Sequence, residues 1–265
     1  MKRGSLWAWL WIGLGVLYFF LPLLATIEFS LRAGGVSGNS LVAYQNVLRD
    51  AEFGKSFFYS VRIAVTTIVA SLLIIVPTAY WVHLRLPRWR PVVEFVTLLP
   101  FVVPAVILVF GLIRIYSRQP FVLTNTSAGS DALLVCAYVI LSFPYMYRSV
   151  DTGLRAIDVR TLTEAAQSLG ASWPTILLRV IFPNLRVALL SGAFLTFAIV
   201  VGEFTIAVFL ARPAFGPYLS LLVQNKAYEP AAVSILSFAL TWGAMGIIQF
   251  LGRRVPGQAQ VGGPR

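Results

Sequence analysis

Apolar residues run through this chain in long blocks, and the polar residues collect in the gaps between them. A helix needs about 20 mostly apolar residues to cross a bilayer core of roughly 30 Å. Six blocks read as such spans, at residues 6–27, 57–82, 92–116, 132–147, 187–210 and 231–251. The pattern predicts an all-α polytopic membrane protein, with residues 1–265 forming one transmembrane domain. The first block follows Lys2 and Arg3 as a signal peptide would. Its apolar run is too long and no small-residue cleavage site follows convincingly, so it is read as a retained anchor. Gly34-Gly35 and Gly38-Asn39 signal turns in the polar segment after it.

Composition agrees with the pattern: 12% of residues are charged, against about a quarter in soluble domains. The net charge of +11 would suggest a nucleic-acid partner in a soluble protein. Here it is assigned to cytoplasmic loops, which carry excess Lys and Arg, and no nucleic-acid partner is expected. With both termini inside, thirteen of the 21 basic residues fall in inside segments and eight outside or near outer ends. Arg85, Arg88 and Arg90 crowd one short gap, and five arginines lie in segment 148–186. That segment is therefore expected in the cytoplasm.

Enzymatic chemistry finds little to stand on. The lone Cys136 excludes an internal disulfide and reads as a packed thiol. The lone His83, beside Arg85 at a span end, reads as interfacial. There is no H-E-x-x-H, no G-x-S-x-G and no pair of cysteines, so no metal site and no catalytic residue is assigned. Phe53-Gly54-Lys55-Ser56 imitates the end of a phosphate-binding loop, but position 49, where that loop needs glycine, is Arg49.

Segment 148–186 predicts two short helices meeting at a sharp turn. Thr161-Leu162-Thr163-Glu164 fits a capping box, Ala165 and Ala166 favour helix, and Gly170 can supply the left-handed residue that closes one. A second helix starts at Ser172, tolerates Pro174 in its first turn, places Ile176, Leu177, Val180 and Ile181 on one face, and ends at Pro183. The residues alone leave two readings level: a docking element for a cytoplasmic protein, or a loop helix lying on the bilayer surface.

Inside the spans, Glu203 is the clearest intramembrane acid, which costs about 2.5–3.5 kcal/mol on insertion scales and so faces a cavity or a partner. A cationic cargo group, a subunit interface or a buried hydrogen bond would each account for it. Gly202 and Thr205 beside it permit close helix approach. Pro100 and Pro104 predict a kink in the third span. Trp7, Trp9, Trp11 and Trp81 suit interfacial anchoring, and Glu28 and Glu94 read as interfacial.

The pattern E-A-A, three residues, G, nine residues, I-x-L-P resembles the signature of the integral-membrane subunits of binding-protein-dependent ABC importers. Glu164, Ala165, Ala166, Gly170 and Pro183 match it, with Val180 and Phe182 in place of the usual isoleucine and leucine. The resemblance implies a type I ABC importer permease of MetI-like fold, with cytoplasmic coupling helices between the fourth and fifth spans. It implies a cytoplasmic ABC ATPase dimer that binds ATP and Mg, so that this chain needs no cofactor of its own. It further implies a second homologous permease, preferred over a second copy of this chain, an extracytoplasmic substrate-binding protein and a lipid-embedded site in a bacterial inner membrane. KSFFYSVRIAVTT, LGASWPTILLRVIFP and GEFTIAVFL are most similar to spermidine/putrescine permeases, which implies a polyamine cargo. On this reading Glu203 and Thr205 are the candidate pathway residues. Phosphonate, iron or sulfate are alternative cargoes. An ion-gradient-driven transporter is less favoured, because one clear midplane acid and no visible repeat fit it poorly.

Overall fold

A computed structural model describes residues 3–32, 40–120 and 122–253, with side chains for 7–32, 40–120 and 122–243. The turn signals at 34–35 and 38–39, Lys2 and the C-terminal arginines 254 and 265 lie outside the described residues. Every regular element among those described is helical. Three helices are long and apolar enough to cross a membrane alone: Trp7–Leu31, Ala51–Leu84 and Ser127–Arg155. Two bent helix pairs raise the number to as many as five, where the sequence pattern reads six spans.

Two compact units are described separately. The first comprises Met1–Ser56 and Tyr218–Trp242. It holds α1 (Arg3–Leu31) and α2 (Val42–Arg49). No residue in the most apolar stretch of Trp7–Leu31 is buried, and Trp7, Trp9 and Trp11 are all exposed. Ser30 and Tyr44 share a hydroxyl hydrogen bond of 2.7 Å, and the Asn46 amide donates to Glu229 at 3.1 Å. The sixth predicted span lies within the helix Glu229–Arg253.

The second unit comprises Phe57–Pro217 and Gly243–Arg265. Its helices are α3 (Ala51–Leu84, here from residue 57), α4 (Arg90–Val102), α5 (Ala105–Tyr116) and α6 (Ser127–Arg155). They are followed by α7 (Val159–Ser168), α8 (Trp173–Asn184), α9 (Arg186–Gly202) and α10 (Thr205–Phe209). Several bounds depart from the apolar blocks, each for a physical reason. Helix α3 begins at Ala51, six residues before the predicted span, where the Asp50 carboxylate accepts from the Glu52 N–H at 2.9 Å. Helix α6 runs eight residues past the predicted end at 147, because Val150, Asp151 and Leu154 continue its buried face. Lipid-like composition stops at Arg148, whereas packing against protein does not.

The third predicted span is two helices. Pro104 has no N–H to donate and keeps Val103 out of the helical region, at φ −86° and ψ 112°. The chain from Pro87–Val102 to Ala105–Tyr116 consequently bends by 97°. The fifth is interrupted as well, since α9 ends at Gly202 and Glu203 is extended.

Two apolar clusters hold this unit together. One gathers Val76 and Tyr80 of α3, Met146, Val150 and Leu154 of α6, Ala166 of α7 and Ile176 and Ile181 of α8. The other joins Ile63 and Ala64 of α3 with Val109 of α5, Leu134 and Tyr138 of α6 and Ile206 and Ala207 of α10. Helices α6 and α9 touch so closely at Gly153 that a Cβ there would stand 2.6 Å from the Ala188 Cβ.

Candidate functional site

The segment carrying the E-A-A pattern folds as an elbow of two helices, and local chemistry explains its shape. Helix α7 starts earlier than the capping box predicts. Asp158, rather than Thr161, caps it: the carboxylate accepts from the Thr161 N–H at 3.0 Å and from its hydroxyl at 2.7 Å. Those two bonds, the backbone one foremost, hold the exposed Asp158 carboxyl below the ordinary carboxylate value. Glu164 instead pairs with Arg160 one turn back, at 2.8 Å.

The elbow's corner is a Schellman closure. Gly170 sits at φ +76°, its N–H donating to the Gln167 carbonyl at 2.9 Å, while the Ala171 N–H reaches the Ala166 carbonyl at 3.0 Å. Helix α8 then opens with Pro174 in its first turn. Ile176 and Ile181 are fully buried, with Leu177 and Val180 packed beside them. Pro183 does not stop this helix, as the sequence suggests, but lies in its last turn; residues Ile176–Ile181 are π-helical, and the break falls at Leu185. The turn into α9 bends the chain by 81°.

One side of α7 is seated and the other is free. Ala166 and Thr163 are buried, and the Thr163 hydroxyl pairs with that of the equally buried Tyr80 at 2.8 Å. Trp173 lies against Trp81 with ring centres 4.7 Å apart and planes tilted by 40°. Glu164 and Ala165 point outward, and Leu169 is 89% exposed at the corner. The matched residues are thus divided: Glu164, Ala165 and Gly170 on the open surface, Ala166 on the seated side, Pro183 half-buried in α8.

Glu203 occupies the break between α9 and α10. Its carboxylate accepts from the Ile206 N–H at 2.9 Å, the Ala207 N–H at 3.3 Å and the Tyr138 hydroxyl at 2.9 Å. It stands half-buried, supplying the first turn of α10 with the acceptor that a helix start lacks. Thr205 opens α10, half-buried like Glu203. The Phe53–Ser56 stretch is helical, not a phosphate-binding loop.

Two ionic clusters escaped the sequence reading. Asp131 takes Arg62 and Arg212, each at 2.7 Å, and the Tyr59 hydroxyl at 2.6 Å. Asp151, with 3% of its side chain exposed, takes His83 at 3.0 Å, Arg90 at 3.1 Å and Arg155 at 2.7 Å. The local signals were Asp151 four residues before Arg155 and Arg90 four before Glu94, each on one helix face. Every other partner lies more than sixty positions away in sequence.

Long apolar helices, an elbow seated on them and ion pairs closing on the carboxylates Asp131 and Asp151 define a helical protein with the length and composition to cross a membrane. The chain belongs to the family of binding-protein-dependent transport system inner membrane components, which matches residues 84–255. It is 31% identical to the probable sulfate transport system permease protein cysT of Prototheca wickerhamii, over 57% of this chain and 62% of that one. It is 26% identical to the spermidine/putrescine transport system permease protein PotC of Haemophilus influenzae, over 93% of this chain and 96% of the other. Against the first curated relatives it matches, the chain spans 36% to 62% of their length. A crystal structure of a bacterial ABC transporter that imports the acidic polysaccharide alginate aligns with TM-score 0.68 at 14% identity, covering 97% of each chain. That likeness concerns the fold alone.

Proposed function

We propose that this chain is the permease subunit of an ATP-driven ABC solute importer in a bacterial inner membrane, and that it carries no ATPase of its own. The elbow carries the reading. Its back is fixed to α3 and α6, while Glu164, Ala165 and Leu169 face outward around the Gly170 corner. A short helix so held is a rigid contact for a soluble partner, and Ala165 lets that partner approach closely. An ABC ATPase dimer binding ATP and Mg would press on this contact and bias the spans between two arrangements. A second, homologous permease would complete the pathway, and an extracytoplasmic binding protein would deliver the cargo. Glu203 and Thr205, both half-buried, are assigned to the pathway.

A polyamine is the cargo best supported, because the spermidine/putrescine relative aligns over nearly the whole of both chains. Sulfate is the second reading, favoured by the higher identity of the shorter match. Uptake of labelled spermidine by cells expressing the full complex, in competition with excess sulfate, separates the two.

Gly170→Asp tests the coupling. Position 170 has open space, so the aspartate meets no clash, but it must adopt a left-handed backbone costing about 1–2 kcal/mol. If that strain passes wholly into coupling, uptake falls by about 5–30-fold, while membrane insertion and assembly persist. Undiminished uptake would remove the elbow from the mechanism.

A further inference from the structure

The Asp151 cluster joins the ends of three helices close to the elbow. His83 belongs to the last turn of α3, Arg90 and Glu94 to the first turns of α4, Asp151 and Arg155 to the last turns of α6. Both oxygens of Asp151 are engaged: Oδ1 by His83 Nε2 at 3.0 Å, Oδ2 by Arg155 Nε at 2.9 Å, and Arg90 Nη2 reaches both, at 3.2 and 3.1 Å. Glu94 Oε1 accepts from Arg90 Nε at 3.0 Å and faces Arg155 Nη2 at 3.5 Å. Two guanidinium groups face two carboxylates, and His83 Nε2 stands within hydrogen-bond distance of Asp151 Oδ1.

Its consequence lies in what else holds α4. That helix buries a single residue, Thr97; much of the rest, including Phe95, Phe101 and Val102, is exposed. Val93 lays its side chain on the apolar cluster and α4 lies along α6, and the ion pairs to Asp151 add a charged tie at the first turns of α4. Immediately beyond Arg155, the chain turns through Ala156 and Ile157 into the Asp158 cap of α7. The same end of α6 thus carries the elbow on one side and grips α4 on the other.

We infer that Asp151 is a positioning residue that ties the start of α4, and with it the bent pair α4–α5, to α6 and the elbow, so that they shift as one body. This rests on the importer reading only for the source of the force. The grip itself is a property of the chain.

The test uses the assembled complex in lipid nanodiscs, with spin labels at the exposed positions Phe95 and Leu169. In wild type the label-to-label distance distribution is narrow, and it stays so without nucleotide and with ATP and vanadate. In Asp151→Asn it widens or shifts by about 2–5 Å, the scale of helix sliding. ATP hydrolysis continues while uptake per ATP falls. Should Asp151→Asn not assemble, Arg90→Gln removes the same grip from the α4 side and keeps Asp151 paired with Arg155 and His83. An unaltered distribution in either variant overturns the inference. A widened distribution in a complex whose wild-type elbow shows no nucleotide response, read from Leu169 to a label on the ATPase, upholds the grip and overturns the importer reading instead.

Discussion

Single residues set the elbow, and Asp158 is the one whose role depends on pH. Its carboxylate is fully solvent-exposed and is held below its ordinary value of 3.8 by the Thr161 N–H, then by the Thr161 hydroxyl. A carboxyl depressed in the folded state adds stability above its unfolded value, and that contribution is lost as pH falls through the folded one. The first turn of α7 should therefore keep its hydrogen-exchange protection at pH 5 and lose it below about pH 3.8; in Asp158→Asn the pH dependence should vanish. The sequence identified the helix but not its cap. Thr161 with Glu164 is a sound capping box in isolation. Asp158 offered an equally good acceptor one turn earlier, and nothing local distinguishes the two. Gly170 was legible because its requirement is intrinsic to the backbone, and Asp151 was not, because His83 and Arg90 come to it from helices remote in sequence.

Helices meet here at separations that small residues permit. Gly153 of α6 faces Ala188 of α9, and a methyl group at 153 would press on the Ala188 Cβ, which cannot swing aside, as well as on Leu185 Cδ2. Gly153→Ala should destabilise the purified protein by about 1–3 kcal/mol, the usual cost of overpacking, read as a lower midpoint of thermal unfolding in detergent. Gly54→Ala, where a Cβ would meet nothing, serves as the control. Apolar blocks located most helices but not their interruptions. Pro104 announced the bend between α4 and α5, because the missing N–H is written in the residue. The break at Glu203 was hidden in an apolar run, and it exists because a carboxylate and the Tyr138 hydroxyl together satisfy a helix start inside it. Composition likewise could not reveal that α6 continues past Arg148, since a face packed on protein need not look like a face in lipid.

At the scale of the whole molecule, the elbow is not an appendage of the second unit but part of its core. Tyr80, Val150, Leu154, Ala166, Ile176 and Ile181 form one apolar cluster, and the Tyr80–Thr163 hydroxyl pair crosses it. Tyr80→Phe should cost about 1 kcal/mol, a modest loss because Thr163 keeps its own bond to the Val159 carbonyl at 2.6 Å. Hydrogen exchange should quicken across α7 and leave α9 unchanged. Exchange that quickened everywhere would mean the pair stabilises the fold at large rather than the seat of the elbow.

The corner of the elbow has a stereochemical consequence. Position 170 needs a torsion that left-handed building blocks resist and their mirror images prefer. D-alanine installed there by chemical ligation would suit the torsion better than any L residue does, and it would strip freedom from the unfolded chain that glycine leaves in place. Evolution, confined to one enantiomer, has settled for the achiral residue.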